Sequence, residues 1–233
     1  ATAEEKMGLF DNLNLILLFQ LGGYVILLIL SQCFFVPIIL HMQDFKGHCL
    51  LFSNGSWRDD DGQFVVSWSN HFYCHYPEVI ACLISLTCIV QIYRYSCLLC
   101  RTDDCSFLSA FVDILWCTVL VLLSFSSAML ITMGFKAWCH DIEKRFASCD
   151  LAALNPIDKA DEIDTSGFYI QIGTAQFGSW SSWVVCVGLA VLSTLKLWKY
   201  HQQEQMRCSM VQQRRRLLED LPSDEELLSS QKH

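Results

Sequence analysis

Few side chains in this sequence have the type and setting for chemistry, and the first is Asp113, a carboxylate well inside the apolar run Phe107–Gly134. It lies about 9 Å from the near end of that run at 1.5 Å per helical residue. An ionisable group at such depth calls for a partner. Arg94 and Lys196 sit comparably in two other apolar runs. A structural ion pair with one of them, a proton- or ion-handling role, and snorkelling toward water are the chemistries open to it.

The second group is the thiols, of which the chain has 13. Cys49 and Cys74 fall in one polar stretch and Cys139 and Cys149 in another, an even number suited to disulfides in an oxidising compartment. Three connectivities exist for four cysteines; Cys49–Cys74 with Cys139–Cys149 is preferred because each bridge then closes within one loop. Cys97, Cys100, Cys105 and Cys208 lie at or near the ends of apolar runs. Cys97-x-x-Cys100 lacks a second pair or a histidine set to complete a zinc site. Reversible palmitoylation suits lipid-proximal cysteines better, with unmodified thiols as the plain alternative.

The sequence carries no catalytic motif: there is no HExxH, no phosphate-binding glycine loop and no nucleophile placed with a base. His140-Asp141 are neighbours without a nucleophile to serve. The acidic stretch Asp158–Asp164 lacks the glycine and ligand spacing of a calcium loop and reads as a solvated face. No enzyme, cofactor or metal is expected. A net charge of -8 without a basic face argues against nucleic acid.

The elements that must position these residues follow from hydropathy. At 53% hydrophobic and 17% charged, 233 residues carry more apolar surface than one small soluble core hides. A membrane-crossing helix needs about 20 mostly apolar residues. Four runs qualify, about residues 13–42, 77–99, 107–134 and 173–200. The first is too long for a signal peptide, and Glu4 and Glu5 offset Lys6 where a positive region belongs, so it is read as a helix that stays. The chain is thus expected to be an all-α membrane protein, residues 1–200 forming one four-helix domain with external loops 43–76 and 135–172, and residues 201–233 a tail.

Arg94, Arg101, Lys196, Lys199, Arg207 and Arg214 to Arg216 flank the spans on one side, which places the short 100–106 loop and both termini in the cytosol. Lys46, Arg58, Lys136, Lys144, Arg145 and Lys159 stand on the other side and weaken that bias. Asn54-Gly55-Ser56, an N-glycosylation sequon, falls in the first external loop with the paired cysteines. The expected location is the plasma membrane or a secretory-pathway membrane.

Within lipid, helices associate through small residues and hydrogen bonds. Ser106, Ala110, Asp113, Cys117, Ser124, Ala128 and Thr132 recur on one face of the third span, and Ala175, Gly178 and Ser182 on one face of the fourth. Gly22-Gly23 predicts a close-approach point or a kink in the first. In the first loop, Cys49–Phe52 and Phe64–Trp68 predict short strands bounded by Gly55 and by Asp61-Gly62. Trp57, Trp68, Phe72, Tyr73 and Tyr76 would be its core, an interfacial belt or a contact surface. Past Tyr200, Met206, Met210, Leu217 and Leu221 oppose Arg214 to Arg216, the pattern of a membrane-surface helix. Pro222 stops it, and Ser223 with Glu226 forms a capping pair. Leu227-Leu228 resembles a dileucine sorting signal with Ser223 where the acidic residue belongs.

Four blocks carry a resemblance: Phe45–Phe52 (FKGHCLLF), Ser106–Phe111 (SFLSAF), Gly134–Cys139 (GFKAWC), and Phe168-Tyr169 followed by Ala175–Trp183 (AQFGSWSSW). Together they resemble the transmembrane protein 179 family of four-pass proteins, from the first loop to the end of the fourth helix. The resemblance implies a topology and a cysteine pattern and brings no catalytic activity. The likeness to claudin-type tetraspans is topological, because Cys49 precedes Trp57 whereas the claudin signature sets a Trp before both loop cysteines. Two functions compete on these grounds. One is an accessory or adaptor subunit that binds another integral membrane protein and affects its assembly, trafficking or gating; the other is an oligomeric channel or transporter with its own path. Membrane lipids are partners in either case.

Overall fold

A computed structural model describes the backbone of residues 3–58, 64–101, 107–144, 147–154, 163 and 165–219. Cys105, Asp59 to Asp61, the acidic stretch 158–164 apart from Ile163, and Pro222 to Leu228 lie outside the described residues. The elements run α1 (Ala3–Asp44), β1 (Asn54–Trp57), β2 (Phe64–Ser67), α2 (Phe72–Arg101), α3 (Phe107–Ile142), a short 3-10 turn (Cys149–Leu154) and α4 (Phe168–Glu219). Among the described residues, these four α-helices are long and apolar enough to cross a membrane.

Each helix outruns its apolar span. Hydropathy marks only what sits in hydrocarbon, and α3 continues past Gly134 to Ile142 while α2 already begins at Phe72, ahead of Pro77. The helices pack in a ring, α1 against α2, α2 against α3, α3 against α4 and α4 against α1, with α2–α3 the most open seam. Large apolar side chains point outward from all four, among them Phe19, Ile29, Leu86, Leu122, Ile170 and Val184. The interior combines apolar side chains such as Leu27, Ile84, Leu120 and Ile131 with small and polar residues such as Ser31, Ala81, Ser124, Ala128, Ala175 and Ser193. The small residues suit a bilayer, where lipid already satisfies the apolar faces and close backbone approach supplies attraction between helices.

The small-residue stripe of α3 faces inward: Ala110, Asp113, Cys117, Ser124 and Ala128 are buried. Ser106 is outside the described residues. On α4, Ala175 and Ser182 are buried, and Gly178 is pressed against α1 so closely that a Cβ there would stand 2.8 Å from the backbone nitrogen of Phe34. Gly23 makes room for Leu189, whereas nothing lies within 4 Å of where a Cβ on Gly22 would stand. α1 is one helix through both glycines.

At the other end of α1 the chain reverses sharply. Gly47 N donates to Met42 O at 2.8 Å and Lys46 N to Gln43 O at 3.1 Å, with both Lys46 and Gly47 at positive φ. This Schellman ending satisfies the last carbonyls and folds the following residues back onto the bundle. Cys49–Phe52 is therefore not the strand expected there: Cys49 and Leu50 are irregular, and Leu51 and Phe52 lie in a turn. Leu50 and Leu51 are both buried, which an alternating strand does not allow. Ser53 N donates to Leu50 O at 3.0 Å, and Phe52 N to Gly134 O of α3 at 3.3 Å. Gly134 leaves space for the Leu51 and Phe52 side chains, into which a Cβ would intrude.

Strand β1 instead starts at Asn54 and pairs antiparallel with β2, Asn54 opposite Ser67 and Trp57 opposite Phe64. Gly55 lies inside a strand rather than bounding one. Trp68 is half-buried and packs against the core: it stacks on His48 at 5.0 Å and on Trp138 at 6.4 Å, and meets Phe45 edge-on at 6.1 Å. Phe45, Leu50, Trp138, Ile142, Cys149, Ile163 and Phe168 form one apolar cluster beneath it. Both loops thus share a single cap core. Phe72, in contrast, is 60% exposed beside Tyr73 and Tyr76.

Candidate functional site

The polar groups of the bundle interior converge on Asp113, which α3 carries inward on its small-residue face. Arg94 Nη1, from α2, donates to Asp113 Oδ1 at 2.8 Å and to Gln91 Oε1 at the same distance. Arg94 Nη2 donates to Ser109 Oγ at 3.0 Å. Gln91 and Arg94 share a helix face three residues apart, so one turn of α2 presents both. Tyr95 Oη donates to Asp113 Oδ2 at 3.2 Å. From α4, Lys196 Nζ lies 3.7 Å from the same oxygen and 4.8 Å from the centre of the Tyr95 ring.

The network reaches α1 through a second layer. Tyr24 stacks on Tyr95 at 5.6 Å, and its hydroxyl is 3.4 Å from Cys117 Sγ. Cys117 Sγ lies 3.7 Å from Ser193 Oγ, which accepts from Gln20 Nε2 at 3.0 Å. All four helices therefore contribute to one polar cluster, made of two hydrogen-bonded groups joined by the Tyr24–Tyr95 stack.

The sequence pointed to Asp113 with either Lys196 or Arg94 as its partner. The structure brings both to the carboxylate, one on each oxygen. Gln20, Tyr24, Gln91, Tyr95, Ser109 and Ser193 join without having been anticipated. Gln20 and Gln91 carried a usable signal, since an amide in an otherwise apolar span also needs a partner in lipid. Tyr24 and Tyr95 carried none, because a tyrosine in a span reads equally well as an apolar body.

Chemically, this is a carboxylate held by two cations, a phenol and an amide. In low dielectric each of these bonds is stronger than in water and each missing partner is costly. The arrangement is suited to holding four helices in one register. Among the described residues, no group of three or more His, Cys, Asp or Glu side chains is placed to share a metal ion.

The other expected sites separate to the two ends of the bundle. At the sheet end, Cys49 is bonded to Cys74 and Cys139 to Cys149. Asn54 is exposed at the start of β1. Asp141 has a role the sequence did not reveal: its Oδ2 accepts from Gly55 N at 3.0 Å, and its Oδ1 meets Lys144 Nζ at 2.7 Å. It fastens β1 to α3. At the far end, Cys97 is half-buried and Cys100 exposed on the last turns of α2, and Cys208 is exposed on α4. The expected surface helix is the continuation of α4 itself, which passes Tyr200 to Glu219 without interruption. A helix lying flat on the membrane would need a break near that point.

Four apolar helices in a ring, a two-stranded sheet on one end and two disulfides in the loops define a claudin-like multi-pass membrane protein. Residues 16–218 match the family model of the transmembrane protein 179/179B claudin domain, and the chain belongs to that family. The match extends beyond the blocks that suggested it, into α1 and along the far extension of α4. No solved structure matches the chain.

Proposed function

We propose that the protein is a non-enzymatic accessory or adaptor subunit that binds another integral membrane protein and affects its assembly, trafficking or gating. One observation carries this reading: the buried charges Asp113 and Lys196 and the partly exposed Arg94 meet at one carboxylate instead of being spread along a path. A permeation route needs rings of charge or repeated polar groups through its length. With its ionisable residues gathered into a staple, the chain offers partners its lipid-facing helix faces and its cap.

The accompanying orientation sets the disulfide cap outside the cytosol and the far extension of α4 inside it. It rests on the Lys and Arg bias and on the oxidising environment that disulfides need. Asn54, exposed on β1, is then an N-glycosylation site, and Cys97, Cys100, Cys105 and Cys208 are cytosolic-edge palmitoylation sites. The plasma membrane or a secretory-pathway membrane is the location.

Crosslinking of native membranes followed by mass spectrometry tests the proposal, with one integral membrane protein expected to recur across preparations. Purified protein in liposomes should show no selective flux. A flux that vanished on Asp113→Asn would replace this reading with the alternative, an oligomeric channel or transporter.

A further inference from the structure

The seam between α2 and α3, the most open of the four, is tied by side-chain hydrogen bonds near its two ends. At the end remote from the sheet, Arg94 Nη2 donates to Ser109 Oγ at 3.0 Å; at the sheet end, Tyr76 Oη and Ser126 Oγ are 2.6 Å apart. From Ser109 to Ser126, α3 rises about 25 Å. Ser109 is the third residue of α3, so the guanidinium stands within roughly 3 Å of the start of that helix along its axis. This is the level at which hydrocarbon gives way to headgroups.

Two kinds of surface meet there. Arg94 is turned partly out of the bundle, 38% exposed, and with Lys196 it sets two cations on the carboxylate of Asp113. Those three groups together carry one net positive charge, and the first turn of α3 adds the positive end of its helix dipole. Deeper in the membrane the surface is apolar. Val90 lies one turn inward from Arg94 on the same ridge of α2, and Val112 and Trp116 follow Ser109 at three and seven residues along α3. All three are exposed. An apolar strip that ends at a guanidinium complements an acyl chain that ends at a phosphate. Arginine suits that role because its charge is permanent, delocalised and weakly hydrated.

We propose that the α2–α3 seam is a binding site for an anionic phospholipid, its phosphate at the exposed edge of Arg94 and one acyl chain against Val90, Val112 and Trp116. The hydrocarbon of one leaflet is about 15 Å deep, so the chain runs past Trp116 and stops short of the Tyr76–Ser126 tie. The phosphate is held by charge across the exposed edge, and the bonds from Arg94 to Asp113 and Ser109 stay in place. The bound lipid covers the open seam and balances the net charge of the cluster. The site requires neither the accessory role nor the cytosolic orientation proposed above; with that orientation, the anionic inner leaflet supplies the lipid.

The test uses the full purified chain in vesicles of phosphatidylcholine with about one-fifth phosphatidylserine, an anionic lipid of cytosolic leaflets. Either lipid is supplied with a photoreactive acyl chain, and the labelled residues are located by peptide mass spectrometry. Phosphatidylserine should label Val90, Val112 and Trp116 in preference to Leu18 and Phe19, which are exposed on α1. At the seam it should exceed phosphatidylcholine about tenfold, the factor that one hydrogen bond to a charged group supplies. Arg94→Gln with Asp113→Asn removes both charges of that pair together and should abolish the preference, whereas Arg94→Lys should keep part of it. Melting temperature in detergent reports whether each variant is folded, and the parent chain's lipid preference and label positions decide the matter if one is not. Equal labelling of the seam by the two lipids, or labelling spread evenly over all helix faces, marks ordinary surrounding lipid and overturns the proposal. So does protection of the seam from both lipids, which marks a second copy of the chain there, or displacement by inorganic phosphate as effective as by unlabelled phosphatidylserine, which marks a site for a free anion. None of these outcomes bears on the accessory role, because the vesicles contain no partner protein.

Discussion

Lys196 Nζ stands 3.7 Å from Asp113 Oδ2, with the two side chains only 1% and 2% exposed. Arg94 is nearer, at 2.8 Å, but 38% exposed. The two cations are therefore unequal in what they lose with the carboxylate. Arg94 makes the better hydrogen bond and can turn toward the interface, whereas Lys196 is sealed within the bundle. Removing one member of a buried pair costs about 3–5 kcal/mol in soluble proteins, an upper guide in a bilayer because water and snorkelling relax it. Asp113→Leu is expected to lower melting temperature in detergent and surface delivery. Adding Lys196→Met should recover more of both than adding Arg94→Gln. Strictly additive losses in both double mutants would show that neither pair holds the bundle.

Gly178 and Gly22 provide a matched comparison of close approach and open space. A methyl at Gly178 would press on the backbone of Cys33 and Phe34, which cannot turn aside as a side chain does. Gly178→Ala should cost about 1–3 kcal/mol through overpacking. Gly22→Ala meets nothing within 4 Å and should be neutral or slightly stabilising. Equal melting temperatures for the two variants would argue against this α1–α4 contact.

The bridges Cys49–Cys74 and Cys139–Cys149 each close within one loop. Loss of such a bridge typically removes about 2–4 kcal/mol. Cys74→Ser should therefore reduce folded yield and leave Cys139–Cys149 intact. Non-reducing peptide mapping decides the pairing, and a peptide joining Cys49 or Cys74 to a second-loop cysteine would refute it.

Asp141 separates the contribution of a hydrogen bond from that of an ion pair. Its bond from Gly55 N is half-buried, while Lys144 is 56% exposed, and exposed pairs contribute about 0–1 kcal/mol. Asp141→Asn retains an acceptor for Gly55 and should change little. Asp141→Ala leaves the amide unmatched, at about 1–3 kcal/mol, and should hasten proteolysis of the first loop. Equal proteolysis rates in the two variants would show that the strand is held some other way.

Legibility differed by kind of signal. Inward-facing Ala110, Asp113, Cys117, Ser124 and Ala128 were readable because helical periodicity places them together without knowledge of any neighbour. The path of Cys49–Phe52 was not, because its apolar residues resemble a strand until α3 is in place. Gly134 then opens the space that Leu51 and Phe52 enter. Trp68 was open to three fates, and only Trp138 and Phe45, arriving from α3 and from the end of α1, packed it against the core.

The sequence by itself determined what depends on composition along the chain: four runs long enough for a bilayer, the loop cysteines, the small-residue faces, and one deep carboxylate in need of a cation. These follow from the cost of leaving polar groups in hydrocarbon, which acts residue by residue. Tertiary structure alone decided which groups meet. Arg94 and Lys196 both reach Asp113, Tyr95 bridges them to Tyr24, and Asp141 takes the amide of Gly55, because helix rotation and ring order fix contacts between residues far apart in sequence. Hydropathy is blind to that rotation, since lipid accepts any apolar face equally; close packing at Gly178 and Gly23 and the polar cluster together select it.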